Sequence, residues 1–194
     1  MHLKTLIPKS EARKLVVQRR NEVGENELRR KSRQIIERLF LTDEYRFAKT
    51  VHCYISSRPG EIDTRMLIDL MHGEGKSVVL PKLNKKTKSF RRFNFIDWNS
   101  IVQNSEGYWE PKLGMDDDLC DVDLIIVPAL AVSQQGFRIG YGGGYYDKLL
   151  GTTFAPKFVL AFEFQLFEYI ETANKDPRID KIITERRIIT TRKV

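Results

Sequence analysis

Leu124-Ile-Ile-Val-Pro-Ala-Leu130 decides how the rest of the chain is read. It is an apolar run with β-branched residues at 125, 126 and 127, which predicts a strand buried on both faces. Such strands belong to parallel sheets covered by helices on each side. Downstream stands Arg138-Ile-Gly-Tyr-Gly-Gly-Gly-Tyr-Tyr-Asp147, a glycine-rich loop, and a helix is expected from about Tyr145 to Leu150. Phe158–Phe162 reads as a further strand, Gln165–Ile170 as a short helix and Ile182–Thr184 as a last strand. Upstream, Thr50–Ser57 reads as a strand and Arg58-Pro59-Gly60 as a turn. Asp63 or Thr64 then caps a helix that runs through Met71 and ends at Gly73 and Gly75. Ser77–Pro81 is a short buried strand. Lys82–Arg92 holds six basic residues and no acidic one, and reads as a hairpin with a strand around Phe90–Ile96. Residues 8–40 show helical spacing, split at Gly24, with Ser10 or a neighbour and Asn26 as the expected caps.

Strands alternating with helices predict an α/β fold: three layers, with a largely parallel or mixed sheet flanked by helices, Rossmann-like. A single domain over 1–194 is expected, with basic helices 8–40 packed on an α/β core of about 50–190. The 194 residues are 41% hydrophobic, enough for a sizeable core. Lys and Arg number 33 against 26 Asp and Glu, a net charge of +7. Residues 1–38 hold 11 basic and 5 acidic residues, so most of the excess sits there. That balance suits an anionic partner. A nucleic acid is disfavoured, because the first 38 residues contain no Tyr, Trp or Phe to stack on bases.

Cys53 and Cys120 show no CxxC spacing, and His2, His52 and His72 are scattered, so neither a zinc site nor a disulfide framework is readable. The acidic stretch Asp116–Asp123 is expected as an exposed loop. The longest apolar run, Leu124–Val132, is too short to span a bilayer, and no signal-peptide core precedes Lys9. A cytoplasmic monomer acting on small molecules, away from membranes, is the expectation.

The glycines at 140, 142, 143 and 144 let backbone approach a ligand closely, and a helix start beyond them offers amide donors. No Gly-Lys-Ser/Thr follows, so this is not a Walker A loop. Tyr145 stands where a dinucleotide fingerprint needs its third glycine. Arg138 suits forked pairing with phosphate, Tyr145 and Tyr146 suit stacking or hydroxyl donation, and Asp147 suits magnesium. Read from these residues alone, the loop is either a phosphate cradle or a tight structural turn.

The whole order of motifs resembles the 5-formyltetrahydrofolate cyclo-ligase family. The resemblance is carried by Lys9-Ser-Glu-Ala-Arg13, by Tyr54-Ile-Ser-Ser-Arg-Pro-Gly-Glu61-Ile-Asp-Thr64, and by Gly75-Lys-Ser-Val-Val-Leu-Pro81-Lys82. Trp109-Glu-Pro111, Val127-Pro-Ala129, Gly136–Asp147 and Ala161-Phe-Glu-Phe-Gln165 continue it, as do Asp176–Asp180 and Ile183-Thr-Glu185. It implies ATP-dependent closure of 5-formyltetrahydrofolate to 5,10-methenyltetrahydrofolate, with ATP as co-substrate and Mg2+ as cofactor.

By the same resemblance, Lys9, Arg13 and the run Arg138, Ile139, Gly140, Tyr141, Gly142, Gly143, Gly144, Tyr145 and Tyr146 hold ATP. Arg138 and Tyr145 are the expected catalytic residues. Tyr141 to Tyr145 also border the folate, together with Ile55, Glu61 and Trp109. Asp147 and Asp176 are the expected metal ligands, with Asp180 as the alternative to Asp176. Many relatives carry a basic residue inside the loop where this chain has Tyr141 and Gly143. Phosphate neutralisation is therefore expected from Arg138, Lys9, Arg13, the lysines after Pro81 and magnesium.

Overall fold

The computed structural model describes residues 6–112, 121–173 and 176–191. His2, Cys120 and most of the expected acidic loop lie outside them. The chain begins with α1 (Lys9–Asn21), α2 (Glu25–Phe40) and the unpredicted α3 (Asp43–Phe47). Gly24 separates α1 from α2, but the caps differ from expectation. Pro8 precedes α1 and Gly24 precedes α2, neither with a side-chain cap bond. Pro8, at φ −58, already has the backbone angle a helix entry needs, and its carbonyl accepts the Ala12 amide. Ser10 and Asn26 therefore sit inside the first turns.

The remaining elements are β1 (Thr50–His52), α4 (Thr64–Gly73), β2 (Ser77–Asn84), β3 (Ser89–Asn94), β4 (Ile101–Gln103), β5 (Trp109–Pro111) and β6 (Leu124–Val127). β7 (Ala131–Ser133), β8 (Arg138–Ile139), α5 (Tyr145–Gly151), β9 (Lys157–Leu160), β10 (Leu166–Phe167), β11 (Lys181–Ile183) and β12 (Ile188–Thr190) follow. Among the described residues the main sheet has seven strands in the order β12-β11-β9-β6-β1-β2-β3. Its inner five are parallel, and β3 and β12 run antiparallel at the edges. The inner order β2-β1-β6-β9-β11 is the 2-1-3-4-5 arrangement of a doubly wound sheet. Its direction of winding reverses between β1 and β6, and the crevice at the carboxyl ends of those two strands is where such sheets place ligands.

Alternation along β6 explains the three layers. Leu124 and Ile126 share one buried cluster with Phe158 and Leu160, covered by Ile35, Ile36 and Leu39 of α2 and by Leu67, Ile68 and Met71 of α4. Ile125 and Val127 face the other way, into a cluster with Val159, Ala161 and Leu150 of α5. α1 does not join either layer. Its Ala12 and Val16 pack on Leu130, Ala131, Ile139 and Phe167, around a small sheet of order β10-β7-β8.

Two expected elements are redrawn. The strand expected over 50–57 keeps only three residues in the ladder. Beyond the Cys53 amide, which still bonds Val79, the backbone turns to local partners: the Ser56 amide donates to Thr64 Oγ1 at 2.7 Å. The helix expected over 165–170 is a single 3-10 turn (Glu163–Gln165) followed by β10. Gln165 is the reason. Its buried side chain accepts the Phe162 amide at 2.8 Å and donates to the carbonyls of Ala129 and Leu130 at 3.1 and 3.0 Å, leaving the chain to pair with β7.

Candidate active site

A cleft of about 310 Å³ opens where β1 and β6 end, lined there by Tyr54, Ile55 and Pro128. β8 delivers Arg138 and Ile139 to its floor, and the glycines Gly140, Gly142, Gly143 and Gly144 with Tyr141 carry the chain across to Tyr145 and Tyr146 on α5. Gly144 is the residue before the first turn, at φ +72, with open space where a side chain would stand. The demand for glycine there is conformational, since a left-handed backbone costs other residues about 1–2 kcal/mol.

Arg138 is the buried cation of the floor. Its side chain is 6% exposed, and Nη2 donates to Asp147 Oδ1 at 2.6 Å. Its Nε is buried with no partner, and the guanidinium lies 5.8 Å from the Tyr146 ring centre. Burial pulls its pKa down, and Asp147, Tyr146 and Asp176 resist. A guanidinium with an unused donor in a dry site is poised for an anion. Lys9, at the start of α1, donates to Asp176 Oδ2 at 2.8 Å, and Arg13 follows one turn later on the same wall. Asp176 lies below the ordinary carboxyl range: burial alone would raise it, but the Ala173 amide, Lys9 and Arg138 outweigh burial. The two expected metal carboxylates thus each face a cation expected to hold phosphate. Asp180 is outside the cleft lining, where its Oδ2 accepts the Lys157 amide at 2.9 Å.

The opposite wall is aromatic and carboxylate. Glu61 Oε2 accepts the amides of Ser57 and Arg58 at 2.8 and 3.0 Å, and Oε1 accepts the Tyr141 hydroxyl at 2.8 Å. Ile55 lies beside it, 5% exposed. The Trp109 amide donates to Ser57 Oγ at 3.0 Å, and its indole packs under Arg65, 4.5 Å away. The phenols of Tyr54, Tyr141 and Tyr146 are pushed above their usual range, chiefly by burial, and the Tyr146 hydroxyl is buried without a partner. Of the lysines after Pro81 that were expected to neutralise phosphate, Lys82 and Lys85 lie outside the cleft lining and have protein partners. Lys82 donates to the carbonyls of Pro111 and Lys112 at 2.5 and 2.6 Å, and Lys85 pairs with Glu106 at 2.6 Å. These lysines hold the β2–β3 hairpin against the β4–β5 arm.

Residues 7–185 match the 5-formyltetrahydrofolate cyclo-ligase family. The chain belongs to that family. It is 34% identical to the 5-formyltetrahydrofolate cyclo-ligase of Haemophilus influenzae over 147 residues, covering 72% of this chain and 78% of the relative. It is 32% identical to that of Escherichia coli K12 over 139 residues, covering 70% and 76%. The solved 5,10-methenyltetrahydrofolate synthetase of Aquifex aeolicus superposes with a TM-score of 0.81 at 30% identity, covering 96% of this chain and 94% of that one.

Cyclo-ligase membership does not by itself supply the metal ligands. Among the described residues no cluster of three or more His, Cys, Asp or Glu side chains is set to hold a metal ion. Asp147 and Asp176 both line the cleft, each paired with a cation, Arg138 and Lys9 respectively. The cleft also holds residues that sequence reasoning missed. Tyr54 is one, because its strand-like neighbours in the 50–57 segment mask its place in the cleft lining. Phe90, whose ring centre is 5.6 Å from that of Tyr145, and Tyr108, whose hydroxyl accepts from Arg58 at 2.8 Å, gave no local signal, because only the hairpin and the β4–β5 arm bring them in.

Proposed function

We propose that this cleft closes the ring of 5-formyltetrahydrofolate to 5,10-methenyltetrahydrofolate while ATP becomes ADP and phosphate. The observation that supports it best is a division within one cleft. Lys9, Arg13, Arg138 and the loop glycines line the same cleft as Ile55, Glu61, Trp109 and Tyr141, at the point where the sheet's winding reverses.

A formamide oxygen is a poor leaving group. In the proposed reaction it attacks the γ-phosphorus and ADP departs, leaving an iminium phosphate. The lone pair of N10 adds to the formyl carbon, N10 loses its proton, and the C–O bond breaks as phosphate leaves. Lys9 and Arg13 draw in the triphosphate. Arg138 releases Asp147, turns its donors to the transferring phosphoryl oxygens and stabilises their charge. Tyr145, at the loop's end, orients the formyl group. Glu61 accepts from the pterin amino and ring N–H groups, with Ile55 and Trp109 packed on the ring system. Magnesium, held by Asp147 and Asp176, would neutralise and orient the phosphates. The protein's task is positioning two anionic reactants, as a monomer in a reducing cytoplasm, with neither nucleic acid nor membrane as partner.

Mixing the protein with ATP, magnesium and 5-formyltetrahydrofolate tests this. Growth of the near-ultraviolet methenyl band with one phosphate and one ADP per turnover is expected. A stable phosphorylated product, or no absorbance growth, would reject it.

A further inference from the structure

α1 touches both halves of the cleft. Its first turn carries Lys9 and Arg13. Eleven residues later, roughly 16 Å along the axis, Arg20 reaches the turn that holds Glu61. Arg20 Nη1 donates to the Pro59 carbonyl at 3.2 Å. Its stem fills the place where Gly60 has no side chain: a Cβ built on Gly60 would stand 2.4 Å from Arg20 Cδ and 2.6 Å from Cγ. Gly60 is also at φ +72, so both its backbone and its neighbour require glycine. Arg20 Nε is buried without a partner, so the side chain is held there at a desolvation cost of its own. Its positive charge is felt by Tyr141, where it opposes the upward push of burial on the phenol.

Glu61 depends on that turn. One of its oxygens accepts two amides of the turn and the other accepts Tyr141. Arg58, in the same turn, lies 5.3 Å from the Tyr141 ring centre and 4.8 Å from that of Tyr108. Loosening Pro59-Gly60 would therefore release the carboxylate and the tyrosine together.

We propose that Arg20 is a positioning residue for the reduced folate: by locking the Arg58–Glu61 turn from α1, it sets the Glu61 carboxylate and the Tyr141 hydroxyl at the pterin wall. The inference rests on the reading that Glu61 faces the pterin.

Arg20→Met keeps an apolar stem against Gly60 and removes the guanidinium, and Arg20→Lys restores a donor. Steady-state kinetics should show the KM for 5-formyltetrahydrofolate raised five- to twenty-fold in Arg20→Met, with the KM for ATP within two-fold of the parent and partial rescue in Arg20→Lys. Hydrogen exchange at the Ser57 and Arg58 amides should quicken at least ten-fold, with the global melting temperature nearly unchanged. Unchanged exchange at those amides would overturn the positioning role itself. Quickened exchange with an unchanged folate KM would overturn it too, by removing Glu61 from the folate wall. Equal rises in both KM values would show α1 displaced as a whole and likewise contradict the proposal.

Discussion

Arg138 holds a charge where little water reaches it, opposite a carboxylate that is 56% exposed. Removing one partner of an ion pair is costly when it strands the other charge out of water, but the partner left here, Asp147, keeps its solvent. Arg138→Met should therefore leave the melting temperature within a few degrees of the parent. It should weaken nucleotide binding about 10- to 100-fold, the worth of one or two charge-assisted hydrogen bonds. Nucleotide titration beside a thermal melt checks both halves, and a lower melting temperature with unchanged nucleotide affinity would make Arg138 structural. His52 gives a pH prediction. It is fully buried on β1, edge-on to Tyr146 at 5.8 Å, and burial, with Arg92 second, lowers its pKa from 6.5 to about 4. The unfolded chain binds this proton below pH 6.5 and the folded chain only below about 4. Stability from this residue is complete above pH 6.5 and is lost as pH falls through that window, by about 3 kcal/mol in all. His52→Leu should flatten the melting temperature between pH 6.5 and 4, and an unaltered slope would exclude His52 as its source. Residue identities at the cleft were legible where several lay in one short motif, as in Arg138–Asp147. They were not legible for Phe90, Tyr108 or Arg20, whose partners lie 39 or more residues away in the sequence.

The elements carry two further tests. α2 starts at Gly24, φ −68, with no side-chain cap and nothing within 4 Å of an added Cβ. Gly24→Ser should supply the missing acceptor and raise stability by about 0.3 kcal/mol in a denaturant titration; a loss would show that the first turn has no unpaired amide to cap. Gly144→Ala, in the left-handed position before α5, should cost about 1–2 kcal/mol and also raise the KM for ATP, because the loop must leave that conformation. Elements with strong periodicity were legible: α2, α4, β6 and β9 follow from apolar spacing alone. Short strands were not. β12 spans three residues with two of them exposed, and β10 exists through its pairing with β7, so neither has a pattern of its own. The strand expected over 50–57 ends at His52 for a physical reason: its second half has strand-like residues, but the Ser56 and Ser57 amides serve Thr64 and Glu61.

At the scale of the molecule, the sheet's order explains why a basic helix, a glycine loop and a carboxylate turn from distant parts of the chain meet. Alternation of strands and helices made the class of fold readable. The order of the strands was not readable, since β6 and β9 are buried on both faces and their sequences would suit any central place. The reversal between β1 and β6 puts Tyr54, Ile55 and Pro128 at one mouth, and β8 and α1 close it from the small sheet. The most direct measurement is a crystal structure with a non-hydrolysable ATP analogue, magnesium and 5-formyltetrahydrofolate bound together. The terminal phosphate should touch Arg138 and the glycine loop, with Asp147 turned from Arg138 to the metal and the formyl oxygen next to that phosphate. Both ligands bound outside this crevice, with the Arg138–Asp147 pair intact, would contradict the account.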